Sequence, residues 1–222
     1  MVLLFLREYG SSYSLLGTYL RKMRSPFRWG PSEGSVPHGM EKAKVALRNT
    51  TDRYGSVAKL LHWVTAAMLV GLVILGLIVS EMERGPDKQQ LEGIHISTGL
   101  VLLVLITLRL LWRLRDPAPA DPVDAPGWQK TAEHVTHWAL YAAIYFQVLI
   151  GILGEGQRPI AFFGLFEFGP LLERNQAQHE LFEEVHASGW IVIAVLAGLH
   201  VLAALYHHFI RKDDVLRRMT AG

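Results

Sequence analysis

Residues 186–210 read HASGWIVIAVLAGLHVLAALYHHFI, a stretch that contains no Asp, Glu, Lys or Arg. An α-helix rises about 1.5 Å per residue, so roughly 20 apolar residues cross the ~30 Å hydrocarbon core of a bilayer. The stretch is long enough to do this and is interrupted only by histidines and small polar residues. It therefore predicts a transmembrane helix.

Three further stretches have a similar character, at about residues 60–80, 94–113 and 134–154. A soluble four-helix bundle would need polar outer faces, whereas residues 66–79 are apolar all round. The predicted fold class is therefore all-α, an integral membrane four-helix bundle.

Lys and Arg are unevenly distributed among the segments that flank the four stretches. Residues 40–59, 113–130 and 211–218 together contain twelve, whereas residues 81–93 and 155–185 contain four. Short loops rich in Lys and Arg stay on the cytoplasmic side of the membrane. The bias predicts that both termini are cytoplasmic.

The residues before Met40 differ from the rest of the chain. Residues 25–39 are rich in Gly, Pro and Ser, a composition typical of disorder, and Met40 begins a short basic lead into the first apolar stretch. We expect residues 1–39 to be a disordered extension or the product of an over-long gene start. Residues 40–222 are expected to form the membrane domain.

The chain contains no cysteine. This excludes disulfides, iron–sulfur clusters on thiolates, and the covalent attachment of a c-type haem. Any haem in this protein would be bound without a covalent link, as b-type haem is.

Histidines are the residues most able to carry chemistry here, since nine of the ten lie in or beside the apolar stretches. An ionisable side chain inside a membrane is costly and marks a functional site by default. A histidine at headgroup level needs no such explanation, and this reading suits His134, His179 and His208. It does not suit His200, which has apolar helix on both sides.

The spacing of the histidines arranges four of them in pairs. His186 and His200 are fourteen positions apart, which places them ~21 Å apart along one helix with directions that differ by only about 40°. His95 lies at the depth of His186, on the outer side, and His62 at the depth of His200, on the cytoplasmic side. Bis-histidine haem ligation requires two imidazoles that approach one porphyrin from its opposite faces. The predicted ligands are therefore His62 with His200 and His95 with His186, with His137 as a competitor of His62.

Arg109 follows His95 by fourteen positions and lies at the depth of the His62–His200 pair. A buried Arg needs an anion, and a haem propionate is a suitable one. Alternatively, Arg109 is a side chain near a helix end that extends to the headgroups. Gly99, one turn after His95, would let a flat macrocycle approach, although Gly is common in packed membrane helices in any case.

Three parts of the sequence together resemble bacterial cytochrome b-561 proteins. They are RYGSVAKLLHW at residues 53–63, IHISTG with LRLLWR at residues 94–113, and VHA, GLH, HH and KD within residues 185–213. The resemblance extends from about Arg53 to Met219. It implies a four-helix, multi-pass cytochrome of the bacterial inner membrane with two haems b, held by the same two histidine pairs.

The resemblance also implies a function in transmembrane electron transfer, with membrane lipid, quinone and an electron donor as partners and no role in binding nucleic acid. Some relatives resemble superoxide oxidases, which pass electrons from superoxide to ubiquinone. The predicted outer segments, 81–93 and 155–185, are however acidic, which does not favour attraction of an anion. The donor therefore stays open.

Two alternative functions remain at this point. One is a haem subunit that anchors a soluble hydrogenase or dehydrogenase to the membrane. The other is a metal-ion transporter, which the lack of Asp, Glu and Cys inside the apolar cores disfavours.

Overall fold

The computed structural model describes residues 46–120 and 126–220. The expectation for residues 1–39 lies outside this range. The secondary structure consists of helices α1 (Ser56–Glu81), α2 (Pro86–Arg115), α3 (Gly127–Glu155) and α4 (Gln176–Tyr206), strands β1 (Ile160–Phe162) and β2 (Phe166–Phe168), a π-helical turn His207–Arg211 that continues α4, and α5 (Val215–Thr220). Four of the helices in the described ranges are long and apolar enough to cross a membrane, as predicted.

The four helices extend beyond the apolar stretches that predicted them. The largest extension is at the start of the last helix, which begins at Gln176 rather than near residue 186. Asn175 caps this start, because its side chain accepts a hydrogen bond from the backbone N–H of Gln178 at 3.1 Å. Hydropathy marks only the part of a helix that can lie in hydrocarbon, and polar turns at either end continue the same backbone pattern.

The segment between α3 and α4 is shorter than predicted and contains a β-hairpin. Strands β1 and β2 pair antiparallel, with Ile160 opposite Phe168. Ser97 of α2 ties this hairpin to the bundle, because its Oγ accepts a hydrogen bond from the backbone N–H of Phe163 at 2.8 Å. The hairpin therefore lies over the end of the bundle near the start of α2, which is called the hairpin end below.

The opposite end of the bundle is called the far end. There the indole of Trp63, near the start of α1, donates to the carbonyl of Met219 in α5 at 3.1 Å. The side-chain amide of Asn49 donates to the carbonyls of Asp116 and Pro117 just after α2. The start of α1, the end of α2 and α5 therefore lie together, as an up-and-down bundle with an even number of spans requires.

The interior of the bundle is small and apolar. Its buried side chains come from all four long helices: Leu72, Leu102, Ile106, Tyr141, Ile144, Val148 and Ile193. Neighbouring apolar residues point outward instead; Ile193 is 3% exposed, whereas Val192 beside it is 57% exposed. Apolar side chains on the outside are the expected surface of a helix bundle whose solvent is lipid.

Candidate haem sites

At the hairpin end, α2 and α4 bring together the side chains of His95 and His186. Their ring centres lie 6.0 Å apart and their planes are nearly perpendicular, at 89°. The two residues were paired on depth alone, and they do meet in space. We call them the hairpin-end pair.

At the far end, α1 and α4 bring together His62 and His200, called the far-end pair. Their ring centres lie 6.2 Å apart, with an interplanar angle of 60°. His137 of α3 also lies beside His200, with 5.1 Å between ring centres. One carboxylate oxygen of Glu133 is 3.8 Å from Nδ1 of His137. The structure therefore places both His62 and His137 beside His200, so both are candidates for its partner, as the sequence suggested.

The spacing within both pairs suits two ligands on one iron. A bond of about 2 Å from metal to imidazole nitrogen, plus about 1.1 Å from that nitrogen to the ring centre, puts two opposed imidazoles about 6 Å apart. The separations of 6.0 and 6.2 Å agree with this value, whereas the 5.1 Å between His137 and His200 is shorter.

The hydrogen bond made by His186 also fits ligation. Its Nδ1 lies 2.9 Å from the backbone carbonyl oxygen of Gln147 in α3. Because a carbonyl can only accept, Nδ1 must carry the hydrogen, and Nε2 then has a free lone pair. Metal-ligating histidines in general donate their other N–H to a carbonyl or carboxylate in this way. The Nδ1 atom of His95 is buried and finds no hydrogen-bond partner among the described residues.

A cavity of about 320 Å³ lies beside the hairpin-end pair, within the size range of ligand and cofactor pockets. Four glycines from three helices line it: Gly76, Gly99, Gly151 and Gly154. A methyl group at Gly99 would have no atom within 4 Å, so space remains next to His95 as the sequence suggested. A largely apolar cavity with two imidazoles and free space at Gly99 fits a flat macrocycle.

Arg109 lies with the far-end pair. Its guanidinium nitrogen donates to Nδ1 of His62 at 2.7 Å, and its guanidinium carbon is 5.6 Å from the centre of the Tyr141 ring. Arg109 therefore lies at the level of the far-end pair.

Sequence reasoning did not identify Gln147 or Gly151 as part of the site. Gln147 could have been noticed, because it is an amide in the middle of an apolar membrane stretch, where polar side chains usually bond to a neighbouring helix. Gly151 offered no comparable signal. Its contact with His186 depends on how α3 and α4 pack.

Comparisons with known proteins agree with this architecture. The family model described as prokaryotic cytochrome b561 matches residues 53–222. Cytochrome b561 homolog 2 of Escherichia coli (strain K12) is 32% identical over 180 residues, covering 79% of this chain and 95% of that protein. The protein named "Probable superoxide oxidase CybB" of Yersinia pestis is 34% identical over 170 residues, covering 72% of this chain and 90% of its own length.

A second Escherichia coli relative, cytochrome b561 homolog 1, is 28% identical over 181 residues, which cover 76% of this chain and 97% of that protein. The match to the family model spans most of the chain and includes all four long helices. The chain therefore belongs to the prokaryotic cytochrome b561 family, as a multi-pass protein of the bacterial inner membrane that transfers electrons on b-type haem.

Proposed function

We propose that this chain carries electrons across the inner membrane through two haems b, one held by His95 and His186 and the other by His62 and His200. The observation that carries the proposal is the presence of two histidine pairs with ring centres 6.0 and 6.2 Å apart, joined by one helix, α4. Fourteen positions of helix separate His186 from His200, or ~21 Å. When bound, each haem supplies one-electron iron chemistry.

We further propose that the hairpin end faces the periplasm. The Lys and Arg residues that flank the spans favour the far end as the cytoplasmic one. In this orientation the hairpin-end pair serves the periplasmic donor, and the far-end pair lies toward the cytoplasm. Ubiquinone, or a related quinone, is the proposed partner within the membrane.

The identity of the donor rests on two observations that point in different directions. One relative is named a probable superoxide oxidase, so superoxide is the first donor to test. However, α4 begins with exposed acidic residues, among them Glu180, Glu183 and Glu184. This surface repels an anion and would suit a basic protein donor, as in the alternative function of a haem-containing membrane anchor.

Transport of metal ions is less well supported. In residues 46–120 and 126–220 there is no group of three or more His, Cys, Asp or Glu side chains placed to hold a metal ion. Paired imidazoles suit haem iron, whereas a dedicated zinc site generally requires three or four protein ligands.

The proposed function is tested on the purified full-length protein in lipid vesicles. We expect a dithionite-reduced minus oxidised spectrum with an α-band, and a haem assay that finds two haems b per chain. One haem per chain would contradict the assignment of two sites. Superoxide added to vesicles containing ubiquinone should then yield ubiquinol in wild-type protein and much less in His186→Ala. If superoxide yields none although both haems are present, a protein donor is favoured.

Arg109 is proposed to pair with a propionate of the far-end haem. A His62 that accepts from Arg109 at Nδ1 carries its own hydrogen on Nε2, whereas ligation through Nε2 requires the hydrogen on Nδ1. Ligation of iron by His62 and donation from Arg109 to its Nδ1 are therefore alternatives. The Arg109 side chain must then turn to another acceptor, and a propionate matches its planar, permanently charged group.

Replacing Arg109 by Met is expected to lower the midpoint potential of the far-end haem. Loss of a nearby positive charge favours the oxidised iron, and a tenfold change in the equilibrium is about 59 mV for one electron. Arg109→Lys keeps the charge and should shift the potential less. Redox titration followed at the α-band measures both variants. An unchanged potential in Arg109→Met would contradict the proposed pairing of Arg109 with a propionate.

A further inference from the structure

We propose that Gly151 and Gln147 of α3 are positioning residues, which hold the ring of His186 in its ligating orientation. This inference rests on the proposed haem site at the hairpin end. It concerns the surface where α3 and α4 touch, beside His186.

The ring of His186 can reach the Gln147 carbonyl only because residue 151 is glycine. In a helix, the carbonyl of residue 147 points toward residue 151, one turn later. A methyl group at Gly151 would lie 2.8 Å from Cε1 and 2.9 Å from Nδ1 of His186. Such contacts are too close for carbon, so an alanine would push the ring away and break the 2.9 Å hydrogen bond to the Gln147 carbonyl.

Gln147 also holds the backbone of His186. Its side-chain amide donates to the His186 carbonyl oxygen at 2.7 Å. Gly189 makes room for this amide, because a methyl group there would collide with Oε1 of Gln147. One residue of α3 therefore contacts both the ring and the main chain of His186, and so sets the rotation of the ring as well as its height along α4.

A second histidine of α4 makes a similar hydrogen bond to the backbone of α3. Nδ1 of His179, seven positions before His186, donates to the carbonyl of Gly154, seven positions after Gln147, at 2.9 Å. At Gly154, however, a methyl group would meet only Cβ of Phe182 at 3.6 Å and the backbone nitrogen of Glu183 at 4.0 Å, which are ordinary contacts. Gly154 also borders the hairpin-end cavity, so the matched control is Gly71 of α1, which is exposed outside that cavity and where a methyl group would have no atom within 4 Å.

Two properties of the iron site follow from these contacts. An Nδ1–H bonded to a carbonyl makes the imidazole a more basic ligand. The contacts also keep the ring of His186 nearly perpendicular to that of His95, at 89°. Perpendicular axial imidazoles give ferric haem a strongly anisotropic low-spin electron paramagnetic resonance (EPR) signal, whereas a rotated ring changes that anisotropy. The signal therefore reports ring orientation and not merely the presence of haem.

The test compares Gly151→Ala with Gly71→Ala in the full-length protein, with the hairpin-end signal assigned by its loss in His95→Ala. We expect Gly151→Ala to lower the affinity of the hairpin-end site for haem about 10- to 100-fold and to change the anisotropy of its residual EPR signal. Gly71→Ala should bind both haems with wild-type spectra, because its methyl group lies in open space outside the cavity. The far-end haem should be unchanged in both variants.

Wild-type EPR anisotropy and haem content in Gly151→Ala would overturn the proposal. Equal losses in Gly151→Ala and Gly71→Ala would also overturn it, since they would show that the effect does not depend on contact with His186. If circular dichroism shows that Gly151→Ala does not fold, Gln147→Met decides: a changed hairpin-end EPR signal supports the proposal and an unchanged one refutes it. A wild-type protein without a hairpin-end haem would instead refute the proposed function.

Discussion

Replacing His200 by alanine is expected to remove one of the two haems and to leave the other in place. His200 faces His62 across 6.2 Å and is flanked on α4 by Leu199 and Val201, which cannot replace its ring. A haem held by a single imidazole, without its second axial ligand, loses much of its affinity for the site. Purified His200→Ala should contain one haem per chain, and its difference spectrum should lack one component of the α-band.

The matched control for this variant is on the same helix. His186→Ala, fourteen positions earlier, should remove the other component of the α-band, and the double variant should contain no haem. His134→Ala should keep both, because the ring of His134 is exposed and bonds to the carbonyl of Lys130, one turn earlier on the same helix. Retention of both haems in His200→Ala would show that the far-end assignment is wrong.

Replacing His62 and His137 separately should decide which of them is the partner of His200. We expect His62→Ala to lose the far-end haem and His137→Ala to keep it. The ring centres of His62 and His200 have the separation of about 6 Å that two opposed iron ligands require, whereas His137 is closer, at 5.1 Å from His200. The haem content and the EPR spectrum of each variant measure the outcome.

The opposite result would also be informative. Loss of the far-end haem in His137→Ala together with its retention in His62→Ala would place the haem between α3 and α4 instead of α1 and α4. Arg109 would then keep its 2.7 Å hydrogen bond to His62 in the loaded protein.

Much of the fold could be predicted from the sequence because membrane crossing imposes a simple requirement. Hydrocarbon offers no partner to a backbone N–H or carbonyl, so long apolar stretches must form helices. All four predicted stretches lie within helices of the structure. The β-hairpin was missed, because six strand residues between two helices leave only a weak pattern and depend on Ser97 of α2 for their position.

The candidate site, like the fold, could be predicted from the sequence only in part. The sequence by itself determined the depth and the direction of each histidine on its own helix, since a regular helix turns 100° and rises about 1.5 Å per residue. That was enough to predict that His95 would lie level with His186 and His62 level with His200. Only the tertiary structure decided which rings meet, that His137 also reaches His200, and that the Gln147 carbonyl bonds to His186 across Gly151. Those contacts depend on how neighbouring helices approach and rotate against each other, a property of packed side chains that no single helix contains.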